Sequence, residues 1–255
     1  MITTFDNKQW DKEELLDNMY DDSFYYGYLG KNALSSSSAK MLINSPKTYK
    51  YVTQYGSDES QALRDGKLFH TMILEPHKLN DLVIVDVATK AGKEYKLAKE
   101  QGLEVYTRKE YNDAERLTDA LLKNNEVVSL MSKCQTEIPA VEMIDGIPFR
   151  AKADILKSNM IIDLKTTTGV KDFRYSADKY SYDLQAYLYR KMFGVDEFVF
   201  IAIDKGSLDI AIFECSDEFY AKGEAKLEQA ISNYKYFFQN EEEMDLNQYV
   251  LRGVL

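Results

Sequence analysis

Residues 150–167, RAKADILKSNMIIDLKTT, constrain this chain more than any other stretch. They read as two short strands joined by a turn at Lys157-Ser158-Asn159. Side chains alternate along a strand, so Met160, Ile162 and Leu164 share one face of the second strand. Ile161, Asp163 and Lys165 share the other. In the first strand Arg150, Lys152, Asp154 and Leu156 lie on one face. A register that pairs Leu156 with Ile161 sets Asp154 opposite Asp163 and Lys152 opposite Lys165. Carboxylates directly opposite each other repel, at a cost of roughly 0.2–1 kcal/mol. A divalent cation turns that repulsion into coordination, because magnesium and manganese take hard oxygen ligands. The plain alternative is a solvated sheet face carrying chance charges.

The remaining chain supplies enough material for one large domain, or a domain with an appended arm, at 255 residues. A net charge of −10 argues against a surface coated in basic groups for nonspecific nucleic-acid binding, and leaves a local basic groove open. Much of the acid lies in the first thirty residues and in NEEEMDLNQY near the end. Two cysteines, Cys134 and Cys215, build neither a disulfide framework nor a four-cysteine metal cluster, so a reducing cytoplasm is the simplest home. No apolar run is long enough to span a bilayer, and the acidic start lacks the basic end of a signal peptide.

Residues 1–30 form an acidic, tyrosine-rich arm, expected as a helix and a loop whose aromatics pack on the body or at a subunit contact. The main domain spans 31–239, and 240–255 are an acidic tail. LSSSSAKMLINSP begins it. Its serines, set before Ala39, Leu42 and Ile43, predict a helix N-cap, with anion binding as the rarer alternative, and Pro46 ends that helix. A helix with Ala62, Leu63, Phe69, Met72 and Ile73 inward runs from Asp58 to Pro76. Glycine inside a helix costs about 1 kcal/mol against alanine, so Gly66 suggests close approach of another element. His70 lies one turn on, on the same face; alone it reads first as a core histidine and second as a ligand. His77 follows in a loop. A strand at 82–87, a short helix at 93–99 and an extended piece at 103–106 come next. Thr107 opens a long helix with Tyr111, Ala114, Leu117, Leu121 and Leu122 on its apolar stripe. Residues 134–143 are a strand leading into the hairpin. After it come a helix at 181–192, strands at 197–204 and 208–215, and a last helix at 217–239. This order indicates a mixed β-sheet flanked by helices.

These motifs, in this order, resemble the PD-(D/E)xK nuclease superfamily, and within it the phage and prophage recombination exonucleases of the exodeoxyribonuclease VIII, RecE-like branch. The likeness runs from Tyr25 to Phe193 through LSSSSAKMLINSP, LRDGKLFHTMILEP, the hairpin with IIDLKTT, and Gln185-x-x-x-Tyr189. It implies a restriction-endonuclease-like α/β core. It also implies that His70, Asp154, Asp163 and the Leu164 carbonyl hold one or two Mg2+ or Mn2+ ions. Lys165 would polarise the attacking water, with Gln185 and Tyr189 positioning the cleaved strand or the outer metal shell. Glu137 aligns with a carboxylate that assists a second metal in many relatives, against an ordinary polar residue. Ser35 and Ser37 match serines near the terminal phosphate, and Lys152 and Thr166 join them as candidate DNA contacts. Ala153 stands where the namesake proline often sits, and Ala151 where a variant motif has glycine; neither loss removes a ligand. The implied protein is an exonuclease that degrades one strand from duplex DNA ends, 5′ to 3′, for recombination. It would act as a homo-oligomeric ring with a single-strand annealing protein as partner, in the cytoplasm of a bacterial host and encoded by a phage or prophage. An inactive DNA-end adaptor and a defence or repair endonuclease are the rival readings.

Overall fold

The computed structural model describes residues 1–87, 89–239 and 244–252. Ala88 and residues 240–243 and 253–255, which include most of the acidic run of the expected tail, lie outside the described residues. The arm opens with the paired strands β1 (Ile2–Thr3) and β2 (Gln9–Trp10), then α1 (Lys12–Asn18), a π-helical turn over Ser23–Tyr28, and α2 (Leu29–Asn32). Leu15, Met19, Tyr25 and Leu29 are buried together with Val141 of the main sheet. Tyr20 and Tyr26 stay exposed.

Next come α3 (Ser36–Asn44), α4 (Pro46–Tyr55), α5 (Gln61–Leu74), β3 (Val83–Val85), α6 (Lys93–Glu100), β4 (Val105–Thr107), α7 (Arg108–Leu122) and α8 (Asn125–Met131). Ser35 caps α3 in a reciprocal box with Ser38, Ser60 caps α5, and Thr107 and Glu110 form the same box on α7. Pro46 does more than stop α3. It occupies the first turn of α4 behind the cap Ser45, where a missing N–H costs nothing. On α5, Ala62 and Leu63 face solvent, contrary to the apolar pattern, and Arg64 is buried instead. Arg64 is held by Glu110 at 3.3 Å, Glu59 at 3.1 Å and the Val105 carbonyl at 2.6 Å, which satisfies a charge that would otherwise stay outside. Leu122 is likewise exposed, and Thr118 takes its inward place.

The body is a five-stranded sheet in sequence order, β5 (Gln135–Ile144), β6 (Ile147–Lys157), β7 (Met160–Thr167), β8 (Glu197–Asp204) and β9 (Ile210–Glu214). Within this sheet only β7 and β8 run parallel, joined through α9 (Phe173–Lys179) and α10 (Tyr182–Phe193); β3 and β4 form a separate parallel pair. The last helix, α11 (Asp217–Phe238), closes the chain's main body. One sheet face buries Ala151, Ala153, Ile161, Phe198 and Phe200 against α3, α10 and α11. The other buries Ile155, Ile162, Leu164 and Ile201 against α5, α7 and α8. The expected mixed sheet flanked by helices is therefore the architecture found. Among the described residues no helix is long and apolar enough to cross a membrane.

Candidate active site

The site lies in a fork. The hairpin pairs Leu156 with Ile161, as expected, but its ladder ends at Ile155 and Ile162. Beyond that point β7 continues only alongside β8, through Thr167. Strict alternation along β6 also fails here. Ala151 and Ala153 pack toward α10, Ile155 toward α5, and Leu156 back toward the α10 side. The residue across from Asp154 on β5 is Glu137, a gap in an otherwise regular ladder, and its backbone is left-handed with φ 54°. A non-glycine residue held there stores about 1–3 kcal/mol, a cost found where a strand must aim a side chain.

Asp154 does not stand free opposite Asp163, as strict pairing would have it. Its Oδ2 accepts the Leu164 N–H at 2.8 Å and lies 3.5 Å from His70 Nδ1. His70 Nε2–H donates to the Leu164 carbonyl at 2.8 Å. The two peptide units that flank Leu164 are thus gripped, one by a carboxylate from β6 and the next by an imidazole from α5. Gly66 does not create the room for this: a Cβ built there would meet nothing within 4 Å. The space comes instead from the parting of β6 and β7.

Asp163, 2% exposed, faces the α10 side. Gln185 Nε2 donates to its Oδ1 at 2.6 Å, and Lys165 Nζ lies 2.5 Å from its Oδ2. That second oxygen has the ion pair but no hydrogen bond of good geometry. Burial pushes the Asp163 carboxyl up, with Lys165 opposing it and Asp154 adding to it. Burial pushes the Lys165 ammonium down, but Asp163, Asp154 and Tyr182 outweigh that, and it stays cationic at neutral pH. Glu137 is pushed up to about 8 by burial, then by Asp154 and Glu75. Glu75, at the end of α5, is a carboxylate the sequence did not single out. Tyr189 is buried behind these groups, its hydroxyl raised well above the usual range by burial and then by the nearby Tyr25, Asp163 and Asp154.

The candidate DNA contacts divide. Lys152 is turned away to Asp22 of the arm, at 3.0 Å, and lies over Tyr25. Lys78 joins Asp22 at 2.7 Å, so the arm is tied to both the sheet and the segment after α5. Ser35 spends its hydroxyl on the α3 cap, whereas Ser37 is exposed. Thr166 is half-buried on β7.

Would these groups hold a divalent cation? Among the described residues no three acidic, imidazole or thiol side chains converge closely enough to cage one alone. Magnesium does not need such a cage, since it binds through one or two carboxylates and keeps several waters. Neighbouring ligands of an octahedral ion at 2.0–2.1 Å lie about 2.9 Å apart. His70 Nε2 and the Leu164 oxygen, 2.8 Å apart, would both face such an ion once the imidazole gives up its Nε2 proton. The buried Asp163 Oδ2, paired only with Lys165, is a further acceptor. The donor set fits.

A family model described as a PDDEXK-like domain of unknown function (DUF3799) matches residues 35–246. No curated protein matches the chain. Among solved structures, a Eubacterium rectale protein provisionally named an exonuclease is similar at TM-score 0.69 and 16% identity, over 97% of this chain and 96% of that one. An alkaline exonuclease from Laribacter hongkongensis matches at 14% identity over 85% and 93% of the two chains, with TM-score 0.42. A phage-related exonuclease from Haemophilus somnus matches at 15% identity over 81% and 95%, with TM-score 0.37. At these identities a likeness speaks to fold, and only the first is close enough to do so.

Proposed function

Since the chain belongs to the PDDEXK-like family DUF3799, whose model spans residues 35–246, we propose that it is a divalent-cation-dependent exodeoxyribonuclease acting on duplex DNA ends. One observation carries this reading. The backbone N–H and carbonyl of Leu164 are held by Asp154 and His70 respectively, while its neighbours Asp163 and Lys165 form a buried pair on the same strand. A structural ion pair needs no second carboxylate and imidazole brought to one residue's backbone, and their crowding leaves carboxyls with raised pKa values in want of positive charge.

A bound cation would supply charge for the phosphorane and lower the pKa of its water. Asp154, Asp163, His70 and the Leu164 carbonyl would hold it, and Glu137 stands beside them for a second ion. Lys165 serves as a fixed cation beside the scissile phosphate, orienting the water and countering developing charge. Asp163 fixes the ammonium, and Gln185 fixes Asp163 in turn. Mg2+ or Mn2+ as the ion, the 5′-to-3′ direction, delivery of single strands to recombination, a homo-oligomeric ring and an annealing partner belong to the same reading. They rest on the resemblance to exodeoxyribonuclease VIII.

The test is a time course with Mg2+ on linear duplex labelled at either the 5′ or the 3′ end, beside covalently closed circles. We expect early release of the 5′ label and intact circles. Nicked circles would make the protein an endonuclease. Binding to ends without loss of any label would make it an adaptor.

A further inference from the structure

The joint between α9 and α10 reads Lys179-Tyr180-Ser181-Tyr182. Ser181 is left-handed, with φ 54° and ψ 49°, a conformation serine adopts only when its surroundings demand it. Its effect is to bring two tyrosines onto one side. The rings of Tyr180 and Tyr182 stack at 5.9 Å and 30°, and Tyr182 stacks on Phe200 at 5.3 Å and 27°. A column of three rings therefore climbs from the sheet to the surface, where Tyr180 ends it 46% exposed.

Cations line this column from bottom to top. Lys165 lies 4.9 Å from the Tyr182 ring centre, and Lys40 and Lys179 lie 5.2 and 5.4 Å from that of Tyr180. Among the described residues neither Lys40 nor Lys179 has a carboxylate partner. Lys40 is half-buried, and burial followed by the neighbouring Lys226 ammonium pushes its pKa down. The exposed Ser37 sits one turn before it on α3. Such a cation is short of an anion. Stacked rings with unpaired ammoniums beside them suit one chemistry above others: bases that are free to stack, joined by phosphates. Duplex bases are not free to stack, so the platform fits an unpaired strand.

We propose that Tyr180, backed by Tyr182 and flanked by Lys40 and Lys179, binds single-stranded DNA beside the active site. A base stacks on the Tyr180 ring, its flanking phosphates meet the two ammoniums, and the strand runs along the column to Lys165. The proposal rests on reading the Lys165 site as a nuclease, yet binding can be measured without cleavage.

The experiment is fluorescence anisotropy in chelator with a labelled 12-mer of thymidylate and a blunt duplex of equal length. Wild type is compared with Tyr180→Ala, Tyr180→Trp and Lys40→Gln, each first shown to melt like wild type. Tyr180→Ala should weaken single-strand binding by about 5- to 160-fold, the range that losing one base–aromatic stack gives. Tyr180→Trp should restore it. Lys40→Gln should reduce the salt slope of log K by about 0.7, one phosphate's worth. Blunt-duplex affinity should change less than twofold. Wild-type affinity for the 12-mer in Tyr180→Ala, no binding by wild type, or equal weakening for both DNAs would overturn the platform. If no DNA is cleaved with Mg2+ while Tyr180-dependent binding persists, the nuclease reading fails and the platform stands.

Discussion

Leu164 sits where three separate parts of the chain must agree, with its N–H on Asp154 and its carbonyl on His70. A histidine serving only that hydrogen bond would be worth about 1 kcal/mol. We therefore expect His70→Gln to cut the nuclease rate by at least about 10- to 100-fold, what losing even the partner of a ligand costs, while metal-free melting hardly moves. A variant that stays active and melts much earlier would make His70 structural. Lys165→Ala should keep cation binding by calorimetry and lose most cleavage, whereas Asp163→Ala should lose both; equal loss of binding in the two would refute this division of roles. Glu137 predicts a pH effect. Its carboxyl titrates at about 8 when folded against an ordinary value of 4.5, so the folded state binds the extra proton between those values. Stability is then greatest below the unfolded value and declines as pH rises toward 8. In chelator, wild type should lose more melting temperature from pH 6 to pH 9 than Glu137→Gln, and parallel curves would contradict the raised pKa. Period-2 spacing alone places Asp163 and Lys165 on one face of β7, and i,i+4 spacing puts Gln185 and Tyr189 on one face of α10. Spacing does not place Asp154, because alternation along β6 breaks beside it. The left-handed turn at Glu137 and the capture of Lys152 by Asp22 were not legible either. One breaks the period on which the reading depends, and the other joins residues 130 apart.

Two glycines separate what a helix needs from what its neighbours need. Gly66 suggested a close approach and makes none, so Gly66→Ala should stabilise α5 by about 0.5–1 kcal/mol. Gly223 on α11 carried no such signal, yet a Cβ there would lie 2.1 Å from the Asp183 carbonyl oxygen of α10. Gly223→Ala must part the two helices, a cost of about 1–3 kcal/mol or more. Because α10 also carries Gln185, activity should fall with stability. Thermal melting of the pair checks this, and an unchanged Gly223→Ala would show that α10 and α11 do not pack as described. The element order came through from the sequence because α7 and α11 carry their own N-caps and apolar stripes, and α10 carries a stripe ended by Gly194. Where the pattern misled, as at Ala62 and Leu63, a buried Arg64 had found Glu110, a partner 46 residues away that no local window contains.

The whole molecule places a sheet between two helical layers and opens it at one point, between β6 and β7. Candidate site residues reach that opening from opposite layers, the ligand candidate His70 from α5 and Gln185, which holds Asp163, from α10, so the fork depends on both layers being in place. The acidic total charge does not oppose a DNA site there, because Lys165, Lys40 and Lys179 gather along one aromatic column. The proposed nuclease activity depends on a cation joining Asp154, Asp163 and His70 beside Lys165. The most direct measurement strips the protein of metal, adds end-labelled linear duplex, and follows release of label as Mg2+ is titrated in and then removed with chelator. Release should begin only with Mg2+ or Mn2+ and stop when the ion is withdrawn. Degradation continuing unchanged in excess chelator would contradict a metal-dependent centre at this fork.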